Sequence, residues 1–499
     1  MKNITLQYFF LLCLTIGLIN SCQQLEEPQA ELQSYDAFLT EMYEAGFFNG
    51  NVLVFKDGKI VHQKAYGIGN ISPVDSLKLN SQFRLASVSK QFTAMLIMIL
   101  QEEGKLDFEQ DLRDFIPELP YENVTIRHLL THTSGLPDYE AMMNSHWKSE
   151  LEYNNPARMI SGNEDILTTM AEIIPPIDFS PGERWEYSNT GYVLLASIVA
   201  RASGKPFEVF MKEKIFDPIG MNRSEVYKYK VDYDAEMPNR VFGYAVDLVG
   251  ADRVNRDVHY LNYAQGDGGI YSTLADLLKW DRYLYENKLV SKETLEEAYN
   301  PATLNDGYKT TYGFGVGIDA SPNGNKVISH SGGWVGFGTY LHREIEDDNT
   351  IIFLSNNSSA YFWEIINPLI QILHEQPYEI PKMPVVKVMG NAIAERGADA
   401  AIAQYHQLKE TDIDNYFSSS RSLNGLGREL LRKDRPQDAL KVFQLSQEEY
   451  PDLPYGYDGM GDAYLAMKDP ANALITFKKA IEIDDSLESI KRKIASLQQ

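Results

Sequence analysis

Two short strand-like segments, the apolar run of residues 51–55 and the mixed run of 59–63, lie on either side of Asp57-Gly58. That dipeptide is a two-residue hairpin signal, so a sheet starts here. From Phe92 to Leu100 the chain is apolar nearly all round and stops at Gly104, which predicts a buried helix closed by glycine. The middle of the chain reads as mostly helix and loop. Four strand-like runs then follow at 312–318, 326–329, 338–342 and 350–354, with connections short enough for antiparallel pairing. Strands at both ends with helices between them predict an α+β domain ending near His374.

The tail repeats itself. Gly425-Leu-Gly427 aligns with Gly459-Met-Gly461 at a spacing of 34, and the match continues through Leu431/Leu465, Pro436/Pro470, Ala439/Ala473, Leu440/Leu474 and Phe443/Phe477. Proline suits the first position of a helix, where its missing N–H costs nothing. The alanines allow close helix crossing, and Phe and Leu fill the groove between helices. A weaker copy starts at Ala394-Glu-Arg-Gly397 and continues through Ala401, Ile402 and Tyr405. The pattern resembles the tetratricopeptide repeat, which implies an all-α stack of about three units after the α+β domain. Such stacks bind proteins on a concave face; the bland alternative is that the tail packs on the body. Lys478, Lys479, Lys491 and Lys493 are candidates for receiving an acidic peptide or the body itself.

Composition sharpens the picture. In 499 residues, 46 Lys+Arg against 70 Asp+Glu leave a net charge of −24, a field that repels nucleic acid and anionic lipid. The 44% hydrophobic content is enough for sizeable cores. The two cysteines, Cys13 and Cys22, leave no disulfide framework for the folded body. Lys2 and the apolar run from Phe9 to Ile19 read as an export signal, too short for a stable membrane span. The run ends in Ile19-Asn20-Ser21-Cys22, which resembles a bacterial lipobox, although Asn20 departs from the usual residue. The expected layout is a signal peptide over 1–21, lipidation at Cys22, a tether over 22–34, the α+β domain over 35–376, a linker over 377–390 and the repeats over 391–499. The protein is then expected outside the cytoplasm, lipid-anchored to a bacterial membrane on its periplasmic face or at the cell surface.

Ser87-Val-Ser-Lys90 places a hydroxyl and an amine at i and i+3, on one face of a helix. A serine at a helix start also meets free N–H groups that favour a developing oxyanion. By itself the spacing is weak, since a capping Ser with a solvated Lys would look the same. His128 and His132 have ligand-like spacing but end in a Thr133-Ser-Gly135 turn, so they read as polar groups pinning a loop. Gly266-Asp-Gly-Gly269 lacks the Lys-Ser/Thr of a phosphate loop. Ser272 or Thr273 is expected to cap the helix that carries Trp280.

Five ordered segments carry more weight: residues 83–90, 124–136 (VTIRHLLTHTSGL), 181–191 (PGERWEYSNTG), 268–273 (GGIYST) and His330-Ser-Gly-Gly333. Together they resemble the β-lactamase-related serine hydrolases, a group spanning class C β-lactamases, D-aminopeptidases, D,D-carboxypeptidase-like proteins and esterases. The resemblance covers about residues 35–375. It implies a β-lactamase/transpeptidase-like fold, a mixed sheet with helices on both faces plus a helical subdomain, and no metal or organic cofactor. It further implies Ser87 as nucleophile, Lys90 as its amine partner, Tyr187 as proton shuttle, and Asn189 as a contact of both substrate and Lys90. The N–H groups of Ser87 and Gly333 would form an oxyanion hole, and Gly332 and Gly333 would let substrate approach the strand. His330 stands where β-lactamases carry Lys, which disfavours β-lactams and favours ester, amide or D-amino-acid chemistry on a small molecule or peptide. The 139–175 insert is expected to shape specificity, its Met142, Met143, Trp147 and Met159 pointing either to an apolar acyl or aromatic group or equally to core positions. A reading of another class remains: a hydrolase fold kept as a ligand-binding or scaffold lipoprotein that acts through its repeats.

Overall fold

The computed structural model describes residues 34–498 except 72–73, 148–160, 229–236, 238, 251–252, 258 and 358–360. The export signal, Cys22 and the tether up to residue 33 lie outside the described residues, as does Met159. Helix α1 (Tyr35–Glu44) leads into strands β1 (Gly50–Lys56) and β2 (Lys59–Tyr66). Asp57 and Gly58 close that hairpin with φ of 51° and 76°, the left-handed pair that matches strand twist in a two-residue turn.

Helix α2 (Lys90–Glu102) follows a 3₁₀ turn over Ala86–Ser89, and all its residues from Lys90 to Leu100 are buried, as the continuous apolar run requires. Helices α3 (Tyr139–His146), α4 (Asn189–Ser203) and α5 (Leu274–Leu284) complete the framework that positions the site. Thr273 caps α5 by accepting the Asp276 N–H. Within the 139–175 insert, Met142 and Met143 are buried in the main core instead of facing a cleft, and Trp147 packs against that core.

The later strands are β3 (Gly317–Ala320), β4 (Lys326–Trp334), β5 (Phe337–Glu344) and β6 (Asn349–Ser355), followed by helix α6 (Phe362–Leu373). The sheet runs β3-β4-β5-β6-β1-β2 with every neighbour antiparallel, so the first hairpin completes a sheet begun by the last strands. Alternate residues separate two apolar layers. Leu53, Ile352 and Leu354 face α2, α4 and α5, while Val52, Val54, Ile351 and Phe353 face α1 and α6. The expectation of one strand over 312–318 is corrected: pairing with β4 starts at Gly317. Gly313 and Gly315 instead bring backbone against backbone. A Cβ on them would stand 2.1 Å from the Ala298 carbonyl and 2.8 Å from that of Lys90.

Beyond residue 384 the described chain is helical: α7 (Val385–Arg396), α8 (Ala398–Thr411), α9 (Ser420–Arg432), α10 (Pro436–Glu449), α11 (Tyr455–Ala466), α12 (Pro470–Ile483) and α13 (Glu488–Leu497). Helix α7 begins inside the segment read as linker, because Val385, Val386 and Met389 are buried in the tail's core. The 34-residue spacing has a physical basis. A Cβ on Gly427 or Gly459 would come within 2.4 or 2.3 Å of the Phe443 ring, and one on Gly461 within 2.3 Å of Phe477. Each phenylalanine therefore fills space that a glycine leaves. Ile490 of α13 packs with Ala473, Phe477 and Ala480 and seals the end. Three of the four tail lysines are engaged within the tail: Lys491 pairs with Glu488, Lys493 with Asp458 and Asp462, and Lys479 lies over the Tyr457 ring.

Candidate active site

The 3₁₀ turn before α2 is held in an unfavourable conformation. Ala86 has φ 47°, a left-handed value that costs a residue with a Cβ roughly 1–2 kcal/mol. Strand β4 and its neighbour hold the turn in place. Thr339 Oγ1 donates to the Leu85 carbonyl at 2.6 Å, and a Cβ on Gly332 would stand 2.3 Å from that same oxygen. Gly332 thus makes room for the Ser87 turn, whereas Gly333 is exposed with open space where its side chain would be.

Lys90, fully buried at the start of α2, extends its amine beneath Ser87. Nζ donates to Ser87 Oγ at 3.0 Å, to Asn189 Oδ1 at 2.8 Å and to the Asp267 carbonyl at 2.8 Å. Three acceptors match the three protons of an ammonium. The rings of Tyr187 and Tyr192 lie 4.9 and 5.5 Å from the same nitrogen and add cation–π stabilisation. Tyr187 is 40% exposed, close to the amine by its ring, and its hydroxyl makes no hydrogen bond to another described residue. Asn189, the first residue of α4, accepts from Lys90 and donates through Nδ2 to Glu140 Oε1 at 2.8 Å, which fixes the orientation of its amide. Burial, with the nearby Asp267 charge, lifts the Glu140 carboxyl above the usual carboxylate range.

His330 lies on β4 with both ring nitrogens engaged. Nδ1 is 2.5 Å from the Ser331 carbonyl, which can only accept, so Nδ1 carries the hydrogen and Nε2 accepts from the Tyr312 hydroxyl at 2.8 Å. Burial, reinforced by the Lys90 charge, pushes this imidazole down to about 3. It is therefore neutral under physiological conditions and offers no cation to a substrate carboxylate. His132 behaves similarly. It is buried at φ 59° between the rings of Tyr187 and Tyr312, accepts the Ser188 N–H at 3.1 Å, and is held neutral by burial first and then by Lys90. Its partner in sequence spacing, His128, caps its own helix through Thr125. Both therefore pin local structure. Ser87, Lys90, Tyr187, Asn189 and His330 thus converge from three separated stretches of chain. Sequence reading gave no role in the site to Glu140, Tyr312 or the Asp267 carbonyl, because each reaches it through contacts across the fold.

The profile of the family described as "Beta-lactamase" matches residues 32–370. The chain belongs to the beta-lactamase family. Its fold is the β-lactamase/transpeptidase-like one, with a helical region added at the C-terminus. The chain is 39% identical over 371 residues to Penicillin-binding protein 4* of Bacillus subtilis, a match covering 72% of this chain and 80% of that protein. It is 25% identical to a D-aminopeptidase of Gluconobacter oxydans, covering 62% of this chain and 56% of the relative. Among solved structures, a penicillin binding protein from Bacillus halodurans aligns with a TM-score of 0.57 at 26% identity, covering 68% of this chain and 98% of that one. These beta-lactamase-family relatives are serine hydrolases of the penicillin-binding-protein and D-aminopeptidase kinds.

The neutral His330 has a measurable consequence. Below its ordinary value of about 6.5 the unfolded chain binds a proton that the folded site refuses until about pH 3. Its contribution to stability is complete above pH 6.5 and is lost as the pH falls below it. Between pH 7 and 5 the wild type should lose on the order of 2 kcal/mol more than His330→Gln, measured by urea denaturation. Equal losses in both chains would show that His330 is not held neutral.

Proposed function

We propose that the chain is an exported serine hydrolase that cleaves an amide or ester of the D-amino-acid or peptidoglycan-peptide kind through an acyl-enzyme on Ser87. The observation that carries this reading is the buried Lys90 ammonium 3.0 Å from Ser87 Oγ, on a turn held in place by β4 and β5. In the proposed scheme Ser87 Oγ attacks the substrate carbonyl while its proton passes through Tyr187 to the leaving amine or alcohol. The Ser87 and Gly333 N–H groups take the oxyanion, and water releases the acyl group by the reverse path. The Lys90 amine serves both groups by position, donating to the serine oxygen at 3.0 Å and lying 4.9 Å from the Tyr187 ring. Asn189, fixed between Lys90 and Glu140, orients the substrate on the carbonyl side.

Recognition follows from the same electrostatics. A neutral His330 does not attract a carboxylate, while Glu140 offers a carboxyl acceptor 2.8 Å from the Asn189 amide. Both favour a substrate bearing an ammonium group over a β-lactam. The D-aminopeptidase among the relatives supports the same class. Export and anchoring through Cys22 complete the proposal. Among the described residues no helix is long and apolar enough to cross a membrane.

A fluorophosphonate probe should label Ser87, and Ser87→Ala should abolish the labelling. Equal labelling of the Ala variant would move the nucleophile elsewhere, and no labelling of either chain would favour a non-catalytic ligand-binding lipoprotein. Tyr187→Phe should lower turnover of a D-amino-acid amide by about 10²–10⁴ with an unchanged melting temperature, the usual loss on removing a general acid/base. Near-normal turnover would remove Tyr187 from the proton path. In fractionated cells Cys22→Ala should leave the washed membranes; its retention there would contradict the lipid anchor.

A further inference from the structure

Strands Tyr244–Val246 and Arg253–Asn255 pair as a hairpin of the hydrolase body, and Asp247–Val249, which follow the first of them, contact the helical tail. Val249 is buried in the tail's core with Val385, Val386, Met389, Leu426 and Leu430. Glu429 of α9, itself buried, uses both carboxylate oxygens on the turn. It accepts the Leu248 N–H at 3.0 Å and the Val249 N–H at 2.8 Å. Lys433, just past the end of α9, pairs with Asp247 at 2.7 Å. On α7, Gly390 leaves the space that the Leu248 carbonyl occupies, since a Cβ there would be 1.9 Å from that oxygen. An apolar anchor, two consecutive main-chain N–H groups on one carboxylate and a flanking ion pair are the means by which a helical groove holds a peptide. Here the peptide belongs to the same chain.

The far end of that stretch reaches the candidate active site. Asp257 accepts the Gly243 N–H at 3.1 Å and pairs with the buried Arg240. Asn262 Oδ1 accepts the Trp334 indole N–H at 2.8 Å, and its main-chain carbonyl accepts Arg84 at 3.2 Å. The Asp267 carbonyl accepts Lys90 at 2.8 Å. Trp334 follows Gly333 on β4, and Arg84 shortly precedes the Ser87 turn. Residues 247–267 thus begin in the tail and end on the Lys90 amine.

We infer that the tail is part of the catalytic unit: its grip on Asp247–Val249 sets the position of the Gly333–Trp334 wall and of the Asp267 carbonyl. Glu429 is a positioning residue that acts through this stretch of chain. The catalytic half of the inference rests on the proposed Ser87 chemistry, whereas the grip itself does not.

The test uses the full chain and three variants: Glu429→Ala, Asp247→Lys, and the swap Asp247→Lys with Lys433→Asp. Hydrogen exchange over 244–267 reads the grip. The kcat on a small ester, per Ser87 titrated with a fluorophosphonate, reads the coupling independently of any unfolded fraction. Both single variants should exchange faster at Tyr244–Asn255 and lose roughly tenfold in kcat per titrated site, while the swap should recover most of both. Unchanged exchange would overturn the grip. Faster exchange with unchanged kcat per site would reduce the tail to an attachment and overturn the coupling. A wild-type chain with neither labelling nor turnover would instead mark failure of the proposed function, and the exchange measurement would still decide the grip.

Discussion

A buried ammonium must be fully solvated by the protein or it will not stay charged. At Lys90 the required acceptors come from three places: Ser87 on the adjoining turn, Asn189 at the start of α4, and the Asp267 carbonyl at the end of the stretch leading back to the tail. None of the three is a carboxylate, so the charge stays available to Ser87 and Tyr187 instead of being neutralised. The remaining features of the site support this arrangement. Asn189 is oriented by Glu140, the Ser87 turn is held by Thr339, and His330 and His132 are kept neutral beside the cation by burial. Loss of any one acceptor would leave an unsatisfied buried charge, which explains why distant segments must be placed together.

Much of this was legible in the sequence for local reasons. The Asp57-Gly58 hairpin, the all-round apolar α2 and the Thr273 cap depend on neighbouring residues, and they formed as expected. The Ser87–Lys90 spacing puts both groups on one face. The 34-residue period of the tail reflects a glycine–phenylalanine contact that recurs with it. What escaped sequence reading depends on contacts across the fold. The 312–318 run has strand-like composition, yet Gly313 and Gly315 are used for close backbone packing against α2 and the Ala298 carbonyl. That Gly332 makes room for the Leu85 carbonyl before the Ser87 turn is likewise visible only in the fold. Glu140 and Glu429 are ordinary acidic residues in a chain rich in them, and only the fold singles them out.

The position of His330 illustrates how burial changes a residue's meaning. A histidine exposed to water would be partly charged and could substitute for a lysine in holding a carboxylate. Between the Tyr312 hydroxyl and the Ser331 carbonyl, with Lys90 nearby, it is a neutral wall. The wall therefore presents no charge to the cleft, which is the feature on which the proposed preference against β-lactams rests.

The central claim is that Ser87 and the Lys90 ammonium form one reacting centre, facing the β4 edge. A crystal structure with a boronic acid bound tests it directly. The account predicts a tetrahedral boron bonded to Ser87 Oγ, Lys90 Nζ still within hydrogen-bond distance of that oxygen, and one boron-bound oxygen between the N–H groups of Ser87 and Gly333. Boron on another residue, or an adduct on Ser87 whose oxygens face away from β4 with Lys90 displaced, would contradict it.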